Sequence, residues 1–192
     1  MAAEEEFDVE TTVLEAEDKM DRAVEVAKED FAGIRTGRAN SGMFAKLLVD
    51  YYGAPTPLQQ LASFNIPEAR TVLITPFDKS SMAAIEKTIR NSDLGVNPSN
   101  DGVAIRCNLP ALTEERRKEY VKLAKHKAEE ARVSVRNVRR KANDEINKAV
   151  KASDISEDEG RGGHNELDNL TKKHVDLIDQ LLAAKESELL EV

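Results

Sequence analysis

Between Thr113 and Lys151 the sequence contains neither glycine nor proline, the residues that most often interrupt a helix. Thr113 is a good N-cap, and two glutamates follow it, where the helix dipole favours negative charge. Small apolar residues recur behind them at helical spacing. They are Ala124, Ala128, Ala131, Val135, Val138, Ala142, Ile146 and Ala149. At about 1.5 Å per residue the predicted helix is roughly 55–60 Å long, so the fold must contain an extended rod.

Two further helices have apolar seams that match the long one. The first is predicted at residues 12–35, and Gly33 interrupts the pattern near its end. Its seam consists of Val13, Met20, Val24, Ala27, Phe31 and Ile34. Ser156 and Glu159 form a capping box that opens the last helix. Its stripe consists of Leu167, Leu170, Leu177, Ile178, Leu181 and Leu182. The glycines at 160–163 either weaken its first turns or mark a local break. Three such helices bury one another best as an antiparallel bundle.

Between the first two helices the pattern changes to short β-type runs bounded by glycine and proline. Strands are predicted at residues 47–52, 58–66, 70–75 and 102–109, a helix at 79–91 and a loop at 93–98. Because this unit is an insertion, two segments of chain join it to the rod as hinges. We predict an α+β fold with an elongated antiparallel three-helix bundle (1–35 and 113–192), an inserted small β/α/β domain (43–107) and hinges at 36–42 and 108–112. Residues 1–10 are predicted to be a disordered acidic tail.

The charge of the chain is unevenly distributed. The formal net charge is -8, but residues 1–18 hold eight acids and no lysine or arginine, so the remainder sums to zero. Residues 116–141 contain eleven basic residues and three acids, a local charge of +8. Arg132, Arg136, Arg139 and Arg140 recur there at helical spacing, which places them on one side of the helix. Arginine suits bidentate contact with phosphate, so the face is a candidate RNA-binding surface. The alternative is a solvated face paired with acids on neighbouring helices.

A second basic pair, Arg35 and Arg38, lies at the end of the first helix. Cations there complement the helix C-terminus, so a structural role is one interpretation. In an antiparallel bundle this end lies near the start of the second helix. Arg35 and Arg38 would then approach Arg116 and Arg117, and four arginines repel one another unless an anion binds.

Catalysis has little support in the sequence. The single cysteine, Cys107, has no neighbouring histidine or lysine and lies in a predicted strand, which favours a buried structural thiol. The three histidines lack partners at metal spacing, and no phosphate-binding glycine loop occurs. We therefore predict no enzyme activity, no cofactor and no metal. One cysteine, an acidic N-terminus and no long apolar segment together predict a cytoplasmic protein with no membrane contact.

Several motifs resemble those of bacterial ribosome recycling factors, in the same order along the chain. They are Ile34-Arg35-Thr36-Gly37-Arg38-Ala39, Tyr51-Tyr52-Gly53, Thr56-Pro57-Leu58, Ser92-Asp93-Leu94-Gly95, Asn97-Pro98, residues 112–118, residues 132–140 and residues 155–159. The resemblance runs from about Leu14 to Val192. It departs at Ser41, where a proline is common, at Lys141, where an acid is frequent, and at the glycines of 160–163. The acidic residues 1–9 lie outside it.

The resemblance implies an L-shaped, tRNA-sized monomer that is not an enzyme. Members of this family bind ribosomal RNA of the large ribosomal subunit, and elongation factor G with GTP then drives subunit splitting and release of mRNA and tRNA. Carried over residue by residue, the RNA contacts fall on Arg35, Arg38, Arg116, Arg132, Arg136, Arg139 and Arg140. The hinge falls on Thr36, Gly37, Ala39, Asn40, Ser41, Asn108, Leu109, Pro110, Ala111 and Leu112.

Overall fold

Long helices lie towards both ends of the chain, and short strands lie between them. The computed structural model describes residues 7–191. Its helices and strands are, in order, α1 Val9–Ala32, β1 Leu48–Tyr51, β2 Ala54–Pro57, α2 Leu58–Leu61, β3 Ala62–Glu68, β4 Thr71–Pro76, α3 Met82–Arg90, β5 Asn97–Asn100, β6 Ile105–Asn108, α4 Glu114–Ala152 and α5 Glu157–Leu190. Single 3₁₀ turns precede β1, at Ser41–Phe44, and α3, at Lys79–Ser81. The predicted α+β class is confirmed.

Helix α1 begins three residues earlier than predicted, because Asp8 caps it. The Asp8 carboxylate accepts hydrogen bonds from the backbone N–H of Glu10 at 3.3 Å and of Thr11 at 3.0 Å. The hydroxyl of Thr11 also donates to this carboxylate and lowers the pKa of Asp8. Val9 and Glu10 are therefore helical, which corrects the predicted acidic tail at those two positions; residues 1–6 of the tail lie outside the described residues. The helix ends at Ala32 rather than at residue 35.

The long helix α4 confirms the prediction to within a residue at each end. It spans 39 residues, and the Thr113 hydroxyl accepts from the backbone N–H of Arg116 at 3.2 Å, as the N-cap assignment requires. Helix α5 opens with the predicted capping box. Glu159 accepts the backbone N–H of Ser156 at 2.8 Å, and the Ser156 hydroxyl accepts that of Glu159 at 3.2 Å. The glycines at 160–163 lie inside an uninterrupted helix, so they mark no break.

The buried stripe of α5 differs from the predicted one in its middle. Leu167 and Ile178 are fully buried, but Leu177 is 37% exposed. The seam passes through His174, which is fully buried. One ring nitrogen of His174 lies 2.6 Å from the carbonyl oxygen of Leu170, and the other lies 2.8 Å from a carboxylate oxygen of Asp21 on α1. Both ring nitrogens therefore lie within hydrogen-bond distance of a polar partner, so a residue that the apolar pattern omits fills the core position.

One compact unit consists of residues 7–28 and 125–183, which are parts of the three long helices. Ion pairs join Arg132 to Asp179 and Arg139 to Asp168, so α4 and α5 run antiparallel here. A lysine–glutamate pair between Lys173 and Glu17 joins α5 to α1. One core cluster of this unit consists of Val13, Ala16, Ala142, Ile146 and Leu167.

The other compact unit consists of residues 29–124 and 184–191. It holds an antiparallel two-stranded sheet of β1 and β2, and an antiparallel four-stranded sheet in the order β3-β4-β6-β5. Helix α3 contributes Met82, Ile85 and Ile89 to the core. The other buried members of that core are Met43, Phe44, Val49, Leu58, Leu61, Ala62, Val72, Ile74, Val96, Ile105, Cys107 and Leu109.

Two local predictions in this unit are wrong. Residues 58–61 form a helical turn instead of strand, because Leu58 and Leu61 are both buried and a spacing of three places them on one side of a turn. Residues 97–100 form a strand, whereas the predicted loop extended to residue 98. Pro98 pairs with Cys107, and β5 is an edge strand, where a missing N–H costs no ladder bond on the open side.

The boundaries of the compact units differ from the predicted domain boundaries, since the second unit also contains segments of the three long helices. The division at hinges 36–42 and 108–112 stays a prediction. Within residues 7–191, none of the helices has the length and apolar character needed to cross a bilayer.

Candidate nucleic-acid interface

The predicted arginine face lies on α4, and its four arginines differ in how strongly the fold holds them. Arg132 is the most constrained. Its Nε donates to Asp179 at 2.8 Å, its Nη2 lies 2.6 Å from the same carboxylate oxygen, and its Nη1 donates to Glu129 at 2.9 Å. Its side chain is 19% exposed. All three guanidinium nitrogens are engaged, so Arg132 has little left to offer a phosphate.

Arg136 and Arg139 are held more loosely. Arg136 Nη1 donates to Glu129 at 3.3 Å, and Arg139 Nη1 lies 3.6 Å from a carboxylate oxygen of Asp168. Each pair uses one nitrogen, and the side chains of Arg136 and Arg139 are 44% and 38% exposed. Surface pairs of this kind contribute at most about 1 kcal/mol, so a phosphate competes with them readily.

Arg140 and Lys141 are exposed, and among residues 7–191 neither has a carboxylate within ion-pair distance. Together with the half-exposed Arg136 and Arg139 they form a surface of four adjacent cations. The α4 cationic face, defined as Arg136, Arg139, Arg140 and Lys141, presents the positive charge and hydrogen-bond donors that suit a polyanionic backbone.

In the second unit, Arg116 is exposed and donates to Glu119 at 2.8 Å. This hydrogen bond raises the pKa of Arg116, and the charge of Glu119 adds to the effect. Arg38 is also exposed. Both side chains are accessible for the contact predicted for them.

Arg35 is buried, so its side chain is not accessible for the RNA contact predicted for it. It is 5% exposed, and burial lowers the pKa of its guanidinium. Nη1 donates to the carbonyl oxygen of Leu94 at 3.2 Å, and Nη2 donates to that of Pro110. The charge of Arg116 has a smaller effect in the same direction on the pKa of Arg35. The geometry makes Arg35 a structural brace.

The two predicted hinge segments are both tied to the loop between β3 and β4. Ala39 N–H donates to the carbonyl oxygen of Ala69 at 2.7 Å, and Leu109 N–H donates to that of the next residue, Arg70, at 2.8 Å. Asn40 caps the 3₁₀ turn by accepting from the Met43 N–H at 3.1 Å. Backbone hydrogen bonds therefore anchor both segments to neighbouring residues of one loop.

The remaining predicted hinge residues are held less strongly or more locally. The Thr36 hydroxyl donates to the carbonyl oxygen of Arg38 at 3.1 Å, and the carbonyl oxygen of Ser41 accepts from the Gln59 side chain at 3.3 Å. Asn108 accepts from the Thr71 hydroxyl at 3.3 Å. Ala111 is exposed and Leu112 is buried. Residues 109–113, between β6 and α4, have no side chain larger than leucine.

Residues 7–191 hold neither a metal-binding cluster nor an exposed thiol. Residues 7–191 contain no cluster of three or more histidine, cysteine, aspartate or glutamate side chains that could hold a metal ion. Cys107 is fully buried, as predicted. Burial, with a smaller effect from the charge of Glu86, raises the pKa of the Cys107 thiol to about 12. The thiol is therefore protonated at neutral pH, and a protonated thiol is a poor nucleophile.

Sequence analysis missed the carboxylates that hold the arginines. Asp179 and Asp168 lie on α5, and only the packing of that helix brings them to α4. Glu129 was counted as one of the acids of the basic stretch, and its spacing of three from Arg132 and seven from Arg136 was the available signal.

Comparison with known proteins gives a consistent result. The family model for ribosome recycling factor matches residues 27–190. Ribosome-recycling factors of Renibacterium salmoninarum and Kineococcus radiotolerans are 63% and 65% identical over 184 residues, which cover 96% of this chain and 100% of each relative. The chain is also similar to a solution structure of ribosome recycling factor, with 43% identity, a TM-score of 0.74 and coverage of 96% of this chain and 98% of the other.

A second structural match comes from models of the T. thermophilus ribosome recycling factor and E. coli elongation factor G bound to the E. coli post-termination complex. That match has 42% identity and a TM-score of 0.68, and covers 96% of this chain and 100% of the other.

Proposed function

The chain belongs to the ribosome recycling factor family, and on that premise we propose that it binds the large ribosomal subunit after termination. With elongation factor G and GTP it splits the ribosome into subunits, and mRNA and tRNA are released. The observation that carries this proposal is the similarity, over 96% of the chain, to a recycling factor placed with elongation factor G on a post-termination complex.

The proposed mechanism is mechanical. The long helices are held against ribosomal RNA, while the smaller sheet-containing part of the chain moves about the hinge segments 36–42 and 108–112. The energy comes from the GTP cycle of elongation factor G, so the factor needs no catalytic group of its own. The cytoplasmic location predicted from the sequence is where this cycle would operate.

The proposed RNA contacts are the members of the predicted set whose side chains reach solvent. Arg38, Arg116, Arg136 and Arg140 are exposed, and Arg139 is partly exposed. Lys141 extends this set, because it is exposed beside Arg140 on α4. Arg132 and Arg35 are assigned structural roles, since their guanidinium groups are engaged within the protein.

A subunit-splitting assay by light scattering tests the function. Post-termination ribosomes receive this protein, elongation factor G and GTP, and each component is omitted in turn. We expect scattering to fall only when all three are present. Unchanged scattering with the complete set, using elongation factor G from the same organism, would contradict the proposal.

Alanine substitution of two arginines of the α4 cationic face tests the RNA contacts. Arg136→Ala and Arg139→Ala should each weaken binding to the large subunit by about 1.5–3 kcal/mol, or roughly tenfold to 150-fold, because each removes charge-assisted hydrogen bonds to phosphate. Co-sedimentation at several salt concentrations measures the affinity, which should fall steeply as salt rises.

Arg161→Ala is the matched control for these variants. Arg161 is an exposed arginine on α5 that pairs with Asp158 at 3.6 Å, and it lies outside the proposed contact set. Its loss should leave binding within about twofold of the wild type. Equal losses for Arg161→Ala and Arg139→Ala would show a diffuse charge effect and remove Arg139 from the contact set.

A further inference from the structure

A continuous series of ion pairs runs from α5 along the surface of α4. Asp179 on α5 holds Arg132 through its Nε at 2.8 Å and its Nη2 at 2.6 Å. The Nη1 of Arg132 donates to Glu129 Oε2 at 2.9 Å. The other oxygen of Glu129 accepts from Arg136 Nη1 at 3.3 Å. One carboxylate on a neighbouring helix is thus connected, through two side chains, to a member of the α4 cationic face.

The arginines of this series are held less tightly towards Arg136. Arg132 is 19% exposed and fully engaged, whereas Arg136 is 44% exposed and has one nitrogen paired. The hydrogen bond from Arg132 lowers the pKa of Glu129, and the charge of Arg136 lowers it further, so Glu129 is ionised at neutral pH. Glu129 therefore bridges the two arginines, with each carboxylate oxygen holding a different guanidinium.

We propose that Asp179, Arg132 and Glu129 form a positioning relay that sets the orientation of Arg136 for contact with RNA phosphate. This inference rests on the proposed function. Asp179 and Glu129 are positioning residues with no RNA contact of their own, and Arg132 acts through Glu129. The relay leaves the outer part of the Arg136 guanidinium facing solvent, where a phosphate can bind it.

For the removal of Asp179, the proposal predicts weaker binding to RNA, whereas net charge alone predicts tighter binding. Removing an acid from a protein that binds RNA makes the protein more positive, so general attraction to phosphate should increase. Removing Asp179 also releases Arg132, Glu129 and Arg136 from a fixed arrangement. Ordering a long side chain on binding costs free energy, so loss of the relay should weaken binding roughly threefold to tenfold.

Asp179→Asn and Asp176→Asn form a matched pair for the test. Both residues lie on α5, and both substitutions raise the net charge by one unit. Asp176 is exposed and, among residues 7–191, forms no ion pair, so its substitution changes charge without touching the relay. Asp179→Glu is the conservative variant, because it keeps a carboxylate within reach of Arg132.

The measurement is the dissociation constant of the full-length protein for purified bacterial large ribosomal subunits, at two salt concentrations. Asp179→Asn should bind about threefold to tenfold more weakly than the wild type. Asp176→Asn should bind equally or slightly more tightly, and Asp179→Glu should stay within about twofold. Thermal unfolding followed by circular dichroism confirms that each variant is folded, since Asp179 is 49% exposed and its pair adds little stability.

Equal affinities for Asp179→Asn and Asp176→Asn would overturn the relay and leave the proposed function standing. Weak binding by Asp179→Glu as well would also overturn it, because a retained carboxylate should rescue Arg132. A wild-type protein that fails to bind large subunits would contradict the proposed function itself, and the relay with it.

Discussion

Replacing Arg35 with methionine is expected to lower the free energy of unfolding by about 2–4 kcal/mol, whereas the same change at Arg38 should alter it by less than about 0.5 kcal/mol. Both residues are arginines of the segment that follows α1, three positions apart. Arg35 is 5% exposed and Arg38 is exposed, so the two substitutions differ mainly in the contacts that they remove.

The expected loss at Arg35 comes from the backbone groups that it satisfies. Its guanidinium donates to the carbonyl oxygens of Leu94 and Pro110, which belong to the loop before β5 and to the second predicted hinge segment. Methionine has a similar length and no donor, so both oxygens lose their partner. A buried polar group left without a partner costs about 1–3 kcal/mol. The buried Arg35 Nε, which has no partner among the described residues, offsets part of this cost when it is removed.

Urea unfolding followed by circular dichroism measures this difference, and hydrogen exchange at the Leu109 amide locates it. Leu109 precedes Pro110 and donates its N–H to the carbonyl oxygen of Arg70. The protection of this amide from exchange should therefore fall in Arg35→Met and persist in Arg38→Met. Arg35→Lys should recover only part of the stability, since an ammonium group lacks the planar fork that spans two carbonyls. Equal unfolding free energies for Arg35→Met and Arg38→Met would refute the brace.

The burial of Arg35 shows where prediction from sequence stops. Its position after a helix indicated a dipole-complementing cation, and the family resemblance implied an RNA contact. Its actual partners lie 59 and 75 residues away in the chain. No periodicity or spacing around residue 35 contains that information, because the contacts depend on how the insertion packs. Arg38 has the same local context and stays exposed, so local sequence does not separate the two arginines.

Elements governed by local physics were predicted well. The α1 seam is buried as expected, and both the Thr113 cap and the Ser156–Glu159 capping box form as their residue types require. The error at Leu58–Leu61 has a different cause. Two leucines three residues apart fit a helical turn, but the β-type residues after them extended the predicted strand backwards through the turn.

The arginine face was predictable only in part. Its spacing on α4 follows from the sequence, but the ranking of its members does not. Arg132 appears equivalent to Arg136 in the sequence, and becomes the least available of the set because Asp179, 47 residues later, reaches it from α5. The distinction between a positioning arginine and a contact arginine is therefore a property of helix packing.

Gly163→Ala is expected to lower the free energy of unfolding by about 1–2 kcal/mol, and Gly162→Ala to raise it by about 0.5–1 kcal/mol. The two glycines are adjacent in α5 and face different surroundings. A Cβ at Gly163 would lie 2.7 Å from Val9 Cγ1 and 2.8 Å from Ile146 Cδ1, which are closer than carbon atoms normally approach. A Cβ at Gly162 would meet no atom within 4 Å.

The physical reason is the close approach of three helices at this level of the first unit. Ile146 is fully buried on α4, so it cannot move aside without disturbing the core. Val9, in the first turn of α1, is partly buried and packs against the same core cluster. Overpacking costs about 1–3 kcal/mol, and the better helix propensity of alanine returns up to about 1 kcal/mol. At Gly162 only the propensity gain remains. A glycine pattern that weakens an isolated helix thus permits tight packing in the folded protein.

Urea unfolding of Gly162→Ala, Gly163→Ala and the double variant measures both effects, and circular dichroism of each native state reports the helix content. Gly160→Ala should resemble Gly163→Ala, because its Cβ would lie 2.6 Å from Val150 Cγ2. The prediction fails if Gly163→Ala gains as much stability as Gly162→Ala. Such a gain would mean that α1 and α4 separate from α5 at little cost, and that the glycines of this turn are not required for packing.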